Sequence, residues 1–280
     1  MKMTTTANNK KIKEKAAFGD KLSIFRLLSL DTAEKLGFVF AGMVIAEVLM
    51  FCIIGMPDEN EFIEFKVLAC RLPLYIVCAA GYILVSLILS NAISAKTGKC
   101  IYTVQRLKVS EREIFRINVL YNFLMYMVFI GIQVFIMLIM IAIFNANYAV
   151  GPQNNMMAIY RTELFHSFFP VGDTYFILRN IFTALCLGIL AALQAQKQRE
   201  GGLSYTFYIA VVSAGLCFMV DPYYHFSDST FRIRDGFVIA AIVLMAIFAW
   251  LSGINHREEQ WHEDDFKAAV QEYRNEEETC

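Results

Sequence analysis

Residues 117–146 read INVLYNFLMYMVFIGIQVFIMLIMIAIFNA, a run without one ionised side chain. At 1.5 Å of rise per residue a helix of that length extends about 45 Å, and roughly 20 residues already cross the 30 Å hydrocarbon core of a bilayer. No amphipathic period breaks the run, so neither a surface helix nor a strand of a water-soluble sheet accounts for it. The solvent of this stretch is lipid.

Five further blocks meet the same criterion, approximately 37–56, 73–94, 175–195, 205–221 and 235–254. The fifth block along the chain, 205–221, is short and draws on flanking residues or a thinned bilayer; the long third block tilts or projects beyond the membrane. The composition agrees, with 57% apolar residues against roughly 45–50% in soluble domains. A net charge of −1 excludes a nucleic-acid binder, which needs a basic surface to displace counterions. The expected fold is an all-α integral membrane protein of six transmembrane helices.

Its orientation follows from Lys and Arg. Residues 1–36, 95–116, 196–204 and 255–280 hold eight, six, two and three, whereas 57–72, 147–174 and 222–234 hold two, one and two. This 19 to 5 bias places the N- and C-termini in the cytoplasm by the positive-inside rule. The five prolines, at 57, 73, 152, 170 and 222, all fall at or beyond span ends on the opposite side, where a missing N–H breaks no helix.

Three regions result. Residues 1–36 form a basic cytoplasmic tail and an amphipathic interfacial helix, in which Phe18, Leu22, Ile24, Phe25, Leu27 and Leu28 recur at helical spacing. The run Lys10, Lys11, Lys13 and Lys15 reads as a solvated tail that fixes topology, with contact to anionic headgroups of membrane lipids as the alternative. Residues 37–254 form the six-helix domain, and 255–280 an acidic cytoplasmic tail. That tail carries His256, Glu258, Glu259, His262 and Glu263, read as solvated and not as a metal site. The seven cysteines have no C-x-x-C spacing and read as small apolar residues. The first apolar block is too long for a signal-peptide core and is expected to stay as an anchor.

Few polar groups enter the spans. Glu47, mid-way along the first, costs about 3 kcal/mol as an unpaired carboxylate at that depth, so pairing or protonation is expected. Arg179 is the basic residue inside a block, a turn within the fourth, and a structural Glu47–Arg179 pair is the expected arrangement. Asn118, Asn122 and Gln133 in the third span, with Asn91 at the end of the second, are expected to bond between helices. Gly42 with Ala46, and Ala184, Gly188 and Ala192, stand at the four-residue spacing that lets helices approach closely in lipid.

No G-x-x-x-x-G-K-[ST] loop, H-E-x-x-H pair or nucleophile–base set is present in the sequence, so no catalytic residue or bound cofactor is assigned. ATP could act only through a partner. The informative soluble stretch is 95–116, SAKTGKCIYTVQRLKVSEREIF. Ser110 followed by Glu113 is a capping box, which predicts a helix from Glu111 running without a break into the third span. A helix so long stands two or three turns into the cytoplasm and offers a surface for docking.

The segment Thr103-Val-Gln-Arg-Leu-Lys-Val-Ser-Glu-Arg-Glu before the third span resembles that of type-two ABC exporter permeases. So does the layout, with a flat N-terminal helix, six spans and both ends inside. Lys108 stands where such segments often carry proline, and the longest outer loop joins spans three and four instead of five and six. The resemblance implies a membrane subunit in the bacterial cytoplasmic membrane that forms a homo- or hetero-dimer with a similar permease. It would be energised by a separate cytoplasmic ATPase docking on Thr103, Arg106, Lys108, Ser110, Glu111, Arg112, Glu113 and Arg116. The competing reading is a non-transporting immunity, assembly or sensory factor that binds partners through the long helix and acidic tail.

Overall fold

The computed structural model describes residues 3–54, 65, 74–92, 110–147, 157, 161–162, 168, 174–199, 202–219 and 229–255. Among these every regular element is an α-helix: α1 (Met3–Ile54), α2 (Leu74–Ser90), α3 (Glu111–Asn147), α4 (Thr174–Arg199), α5 (Tyr205–Met219) and α6 (Ser229–Asn255). Their positions follow the six apolar blocks.

Four helices, α1, α3, α4 and α6, are long and apolar enough to cross a membrane, whereas α2 and α5 are shorter apolar helices. Phe38, Ile53, Phe237 and Phe248 are more than 70% exposed. Large apolar side chains so exposed, repeated along helices of this length and composition, suit an apolar surrounding. The chain is a multi-pass membrane protein.

The helices begin and end where backbone chemistry requires. The Ser110 carbonyl accepts from the amides of Glu113 and Ile114, and Ser110 Oγ accepts from the Glu113 amide at 3.4 Å, so α3 starts at its predicted cap. Asn91 Nδ2 donates to the Leu87 carbonyl at 2.7 Å and closes the end of α2, so Asn91 does not reach another helix. At the end of α4 the Gly202 amide donates to the Lys197 carbonyl at 2.8 Å, a turn that leads directly into α5.

α4 is the central helix. It packs on α2, α3, α5 and α6, while α1 lies outside this ring against α2 and α3. Composition explains the position. Ala184, Gly188, Ala191, Ala192 and Ala195 let neighbours come close, and all are buried. A Cβ at Gly188 would stand 3.0 Å from the Phe123 backbone nitrogen and 3.3 Å from the Val119 carbonyl oxygen, so α3 and α4 touch backbone to backbone there.

Gly42 does not do the same. A Cβ there would meet nothing within 4 Å, because the inward stripe of α1 is Ile24, Leu28, Thr32, Leu36, Met43, Glu47 and Phe51, and Gly42 lies one residue off it. Nor does the structure separate a flat helix from the first span. α1 runs unbroken from Met3 to Ile54, with Ile24 and Leu28 wholly buried and Phe25 edge-on to Tyr121 of α3 at 5.3 Å. The apolar spacing read as a lipid-facing stripe is thus used in part for protein packing.

Candidate functional site

Polar groups inside the bundle gather in three places. The first joins α1 to α3. Gln133 Nε2 donates to Glu47 Oε1 at 3.1 Å and lies 3.3 Å from Met43 Sδ, with Glu47 and Gln133 both 1% exposed. About three turns toward the start of α3, the Thr32 and Tyr121 hydroxyls share a hydrogen bond, and Thr32 also donates to the Leu28 carbonyl. Two buried polar ties therefore hold α1 parallel to α3, at 32 with 121 and 47 with 133.

The expected Glu47–Arg179 pair is absent. α1 packs on α2 and α3, whereas Arg179 belongs to α4 on the far side of those helices. Arg179 makes the second group. Its Nε and Nη2 donate to Asn180 Oδ1 at 3.3 and 3.2 Å, and its guanidinium stands 4.6 Å above the Phe176 ring. Asn180 Nδ2 in turn donates to the Phe168 carbonyl at 3.1 Å. Below it a small, almost wholly apolar cavity is walled by Tyr82, Tyr126, Phe129, Phe168, Leu187 and Gly215. Both tyrosine hydroxyls are engaged, Tyr82 donating to the Val211 carbonyl at 3.1 Å and Tyr126 to Ser86 Oγ at 3.0 Å. With no free donor or acceptor from them, this cavity is suited to staying dry.

The third group occupies the start of α3 and the end of α4. Arg199 Nη2 donates to Glu111 Oε2 at 3.1 Å, the arginine side chain only 10% exposed and the carboxylate about half exposed. Deeper in, Asn122 Nδ2 donates to the Gly188 carbonyl at 3.4 Å. Gln194 Oε1 accepts from the Ser204 amide at 2.6 Å, tying α4 to the start of α5. Several buried atoms in the same region bond to no other group of the described chain: both amide atoms of Asn118 and of Gln196, Oδ1 of Asn122 and Nη1 of Arg199, so Asn118 does not make the inter-helix bond expected of it.

The sequence-derived sites divide accordingly. Ser110, Glu111, Arg112, Glu113 and Arg116 occupy the first two turns of α3 and its cap, with Glu111, Arg112 and Arg116 exposed. Thr103, Arg106 and Lys108 lie outside the described residues, as do the acidic tail and its histidines. Gln133 bonds to Glu47, and Asn122 bonds to α4, as inter-helix contacts were expected to do. Gln194, Gln196 and Arg199 were passed over, since a glutamine run at a span end reads as the edge of a loop. Their alternate spacing before a Gly-Gly pair was the available signal. No catalytic set is assembled among the described residues.

Compared with known proteins, the chain matches no family model, no curated protein and no solved structure.

Proposed function

We propose that this chain is the membrane-spanning permease subunit of an ATP-driven exporter in the bacterial cytoplasmic membrane. It crosses the bilayer six times with both ends in the cytoplasm. A separate ATPase docks on the connection that ends in Ser110 and supplies ATP hydrolysis. A second permease chain, identical or similar, completes the transporter.

The observation that carries this reading is α3. It is 37 residues long, about 55 Å at 1.5 Å per residue, and so exceeds the hydrocarbon core by several turns. It is capped where the basic connection ends, and its first turn is ion-paired to the end of the central helix. A rigid helix transmits displacement, so force applied at Glu111–Arg116 reaches α4, around which α2, α3, α5 and α6 are packed. A coupling element between a cytoplasmic motor and a membrane pathway needs this connectivity.

Charge reversal at Arg106 and Arg112 tests it, once expression and membrane insertion of the variants are shown to match the parent. The expected result is loss of copurification with a nucleotide-binding subunit and loss of export. Unchanged copurification and export would sink the docking surface. Purification of the parent as a lone chain would favour a non-transporting assembly or sensory factor instead.

A further inference from the structure

A groove of about 370 Å³ opens between α1 and α2, a volume within the roughly 300–1,000 Å³ of small-molecule sites. Its walls are Phe38 and Gly42 on α1 and Val77, Ala80 and Leu84 on α2, and it ends on Met43 and Gly81. Phe38, Gly42, Ala80 and Leu84 are exposed whereas Met43 and Gly81 are buried, so the groove faces outward and those two residues are its floor. The room exists because α1 presents a glycine at 42, where a Cβ would meet nothing within 4 Å. At the floor a Cβ on Gly81 would collide with Met43 Sδ, so the thioether lies directly on the backbone of α2.

The other side of that thioether is polar. Met43 Sδ lies 3.3 Å from Gln133 Nε2, which donates to Glu47 Oε1 at 3.1 Å. Glu47 follows Met43 by one turn on the inward stripe of α1, and Cys78, beside the lining residue Val77, is within electrostatic reach of Glu47. The Met43 side chain thus borders the groove on one side and the Glu47–Gln133 pair on the other. It is unbranched, with three rotatable bonds, and can turn aside without a helix moving. No cation reaches the carboxyl among the described residues. Past Lys35 α1 has no basic residue, α2 has none, and past Arg116 α3 has none. Lys35 is about 18 Å from Glu47 along α1, and Arg116 about 25 Å from Gln133 along α3. The ionisable group facing Glu47 from α2 is the Cys78 thiol, and α3 has none between Gln133 and its end. One amide N–H suits a neutral carboxylic acid, whereas a carboxylate buried in hydrocarbon calls for a cation. In this state Glu47 holds its proton.

We infer that the α1–α2 groove is a binding site for a lipophilic amine, which enters from the hydrocarbon phase and settles with its nitrogen against Glu47. The complementarity is one of charge. The neutral amine takes the Glu47 proton as it binds, so the nitrogen becomes an ammonium, the carboxyl becomes a carboxylate, and the two remain as an ion pair that brings no net charge into the membrane. An alcohol or amide is too weak a base to take that proton, and an anion would be repelled by the carboxylate. The apolar part of the amine fills the space that Gly42 leaves. That such an amine is cargo rests on the export reading; its binding does not.

Dicyclohexylcarbodiimide, an apolar reagent that modifies protonated carboxyls, tests the inference on the full-length chain in detergent, with the adduct located by peptide mass. The probe is N,N-dimethyldodecylamine, which has no N–H to intercept the activated carboxyl, and the uncharged control is dodecyl methyl ether. Glu47 should be modified. The amine should slow that modification about tenfold when present at about ten times its dissociation constant, and the ether should not. The amine should also raise the unfolding temperature of the parent chain. It should not raise that of Glu47→Gln, which removes the proton donor, or of Gly42→Leu, which fills the groove, each variant first being shown to unfold cooperatively. Absence of an adduct at Glu47 overturns the protonated carboxyl, and modification indifferent to the amine overturns its place beside Glu47. Equal protection by amine and ether overturns the charge complementarity and makes the groove a seat for a hydrocarbon chain. An undiminished shift in Gly42→Leu overturns the groove. No ATPase enters the assay, so failure of the export reading leaves its result intact.

Discussion

Two glycines of equal standing in the sequence have opposite environments. At Gly188 an added methyl meets the backbone of α3, which cannot move aside as a flexible side chain would. Gly188→Ala is expected to destabilise by about 1–3 kcal/mol, the usual cost of overpacking. At Gly42 the space is open, and Gly42→Ala should stabilise by about 0.5–1 kcal/mol through helix propensity. Thermal unfolding of the two variants in detergent reads both signs, and equal effects would deny the α3–α4 backbone contact. Glu47 supports a second expectation at this scale. Its hydrogen bond to Gln133 is buried, so Gln133→Leu strands a polar group and should cost about 1–3 kcal/mol. Glu47→Leu combined with Gln133→Leu should cost less than the sum of the single changes, because no orphan remains. Arg179→Ala should leave that coupling unchanged, since Arg179 shares no bond with Glu47.

Among the helices, α3 and α4 are tied from the Ser110 end of α3 to the centre of the bundle. Ser110→Ala removes the cap of α3 and should cost about 0.5–2 kcal/mol. The Glu111–Arg199 pair should contribute less, about 0.2–1 kcal/mol, because its carboxylate is about half exposed and screened. Under the proposed export function its role is positional: Glu111→Arg should weaken the coupling of ATPase binding to export more than it lowers the unfolding temperature, and Arg199→Glu added to it should restore coupling. A double variant no better than Glu111→Arg would show that the pair does not link the helices. The start of α3 was legible because a capping box is a local signal, carried by residues three apart. The central place of α4 was less so, although its small residues at four-residue spacing marked close contact with something.

At the scale of the whole molecule, two contacts per pair fix directions: Thr32 with Tyr121 and Glu47 with Gln133 run α1 parallel to α3, and Glu111 with Arg199 and Asn122 with Gly188 run α4 antiparallel to it. The proposed six crossings require the same alternation of these three helices. The distribution of Lys and Arg then predicts that Cys280 is labelled by a membrane-impermeant thiol reagent only after the membrane is opened. Labelling of intact cells would reverse the topology.

The existence and order of the six apolar helices were determined by the sequence alone, since the demand of hydrocarbon for uninterrupted apolar length acts on each segment separately; the union of the N-terminal helix with the first apolar block was not. The cap at Ser110 was local in the same way. Which helix stands next to which was decided by the tertiary structure. In water, burial separates apolar from polar faces, and the pattern announces the contact side; in lipid both faces are apolar and that contrast disappears. Thus Glu47 was recognisable as a costly carboxylate needing a partner, but its depth could not distinguish Arg179 on α4 from Gln133 on α3. Only the packing of α1 outside the ring, against α2 and α3, made that choice.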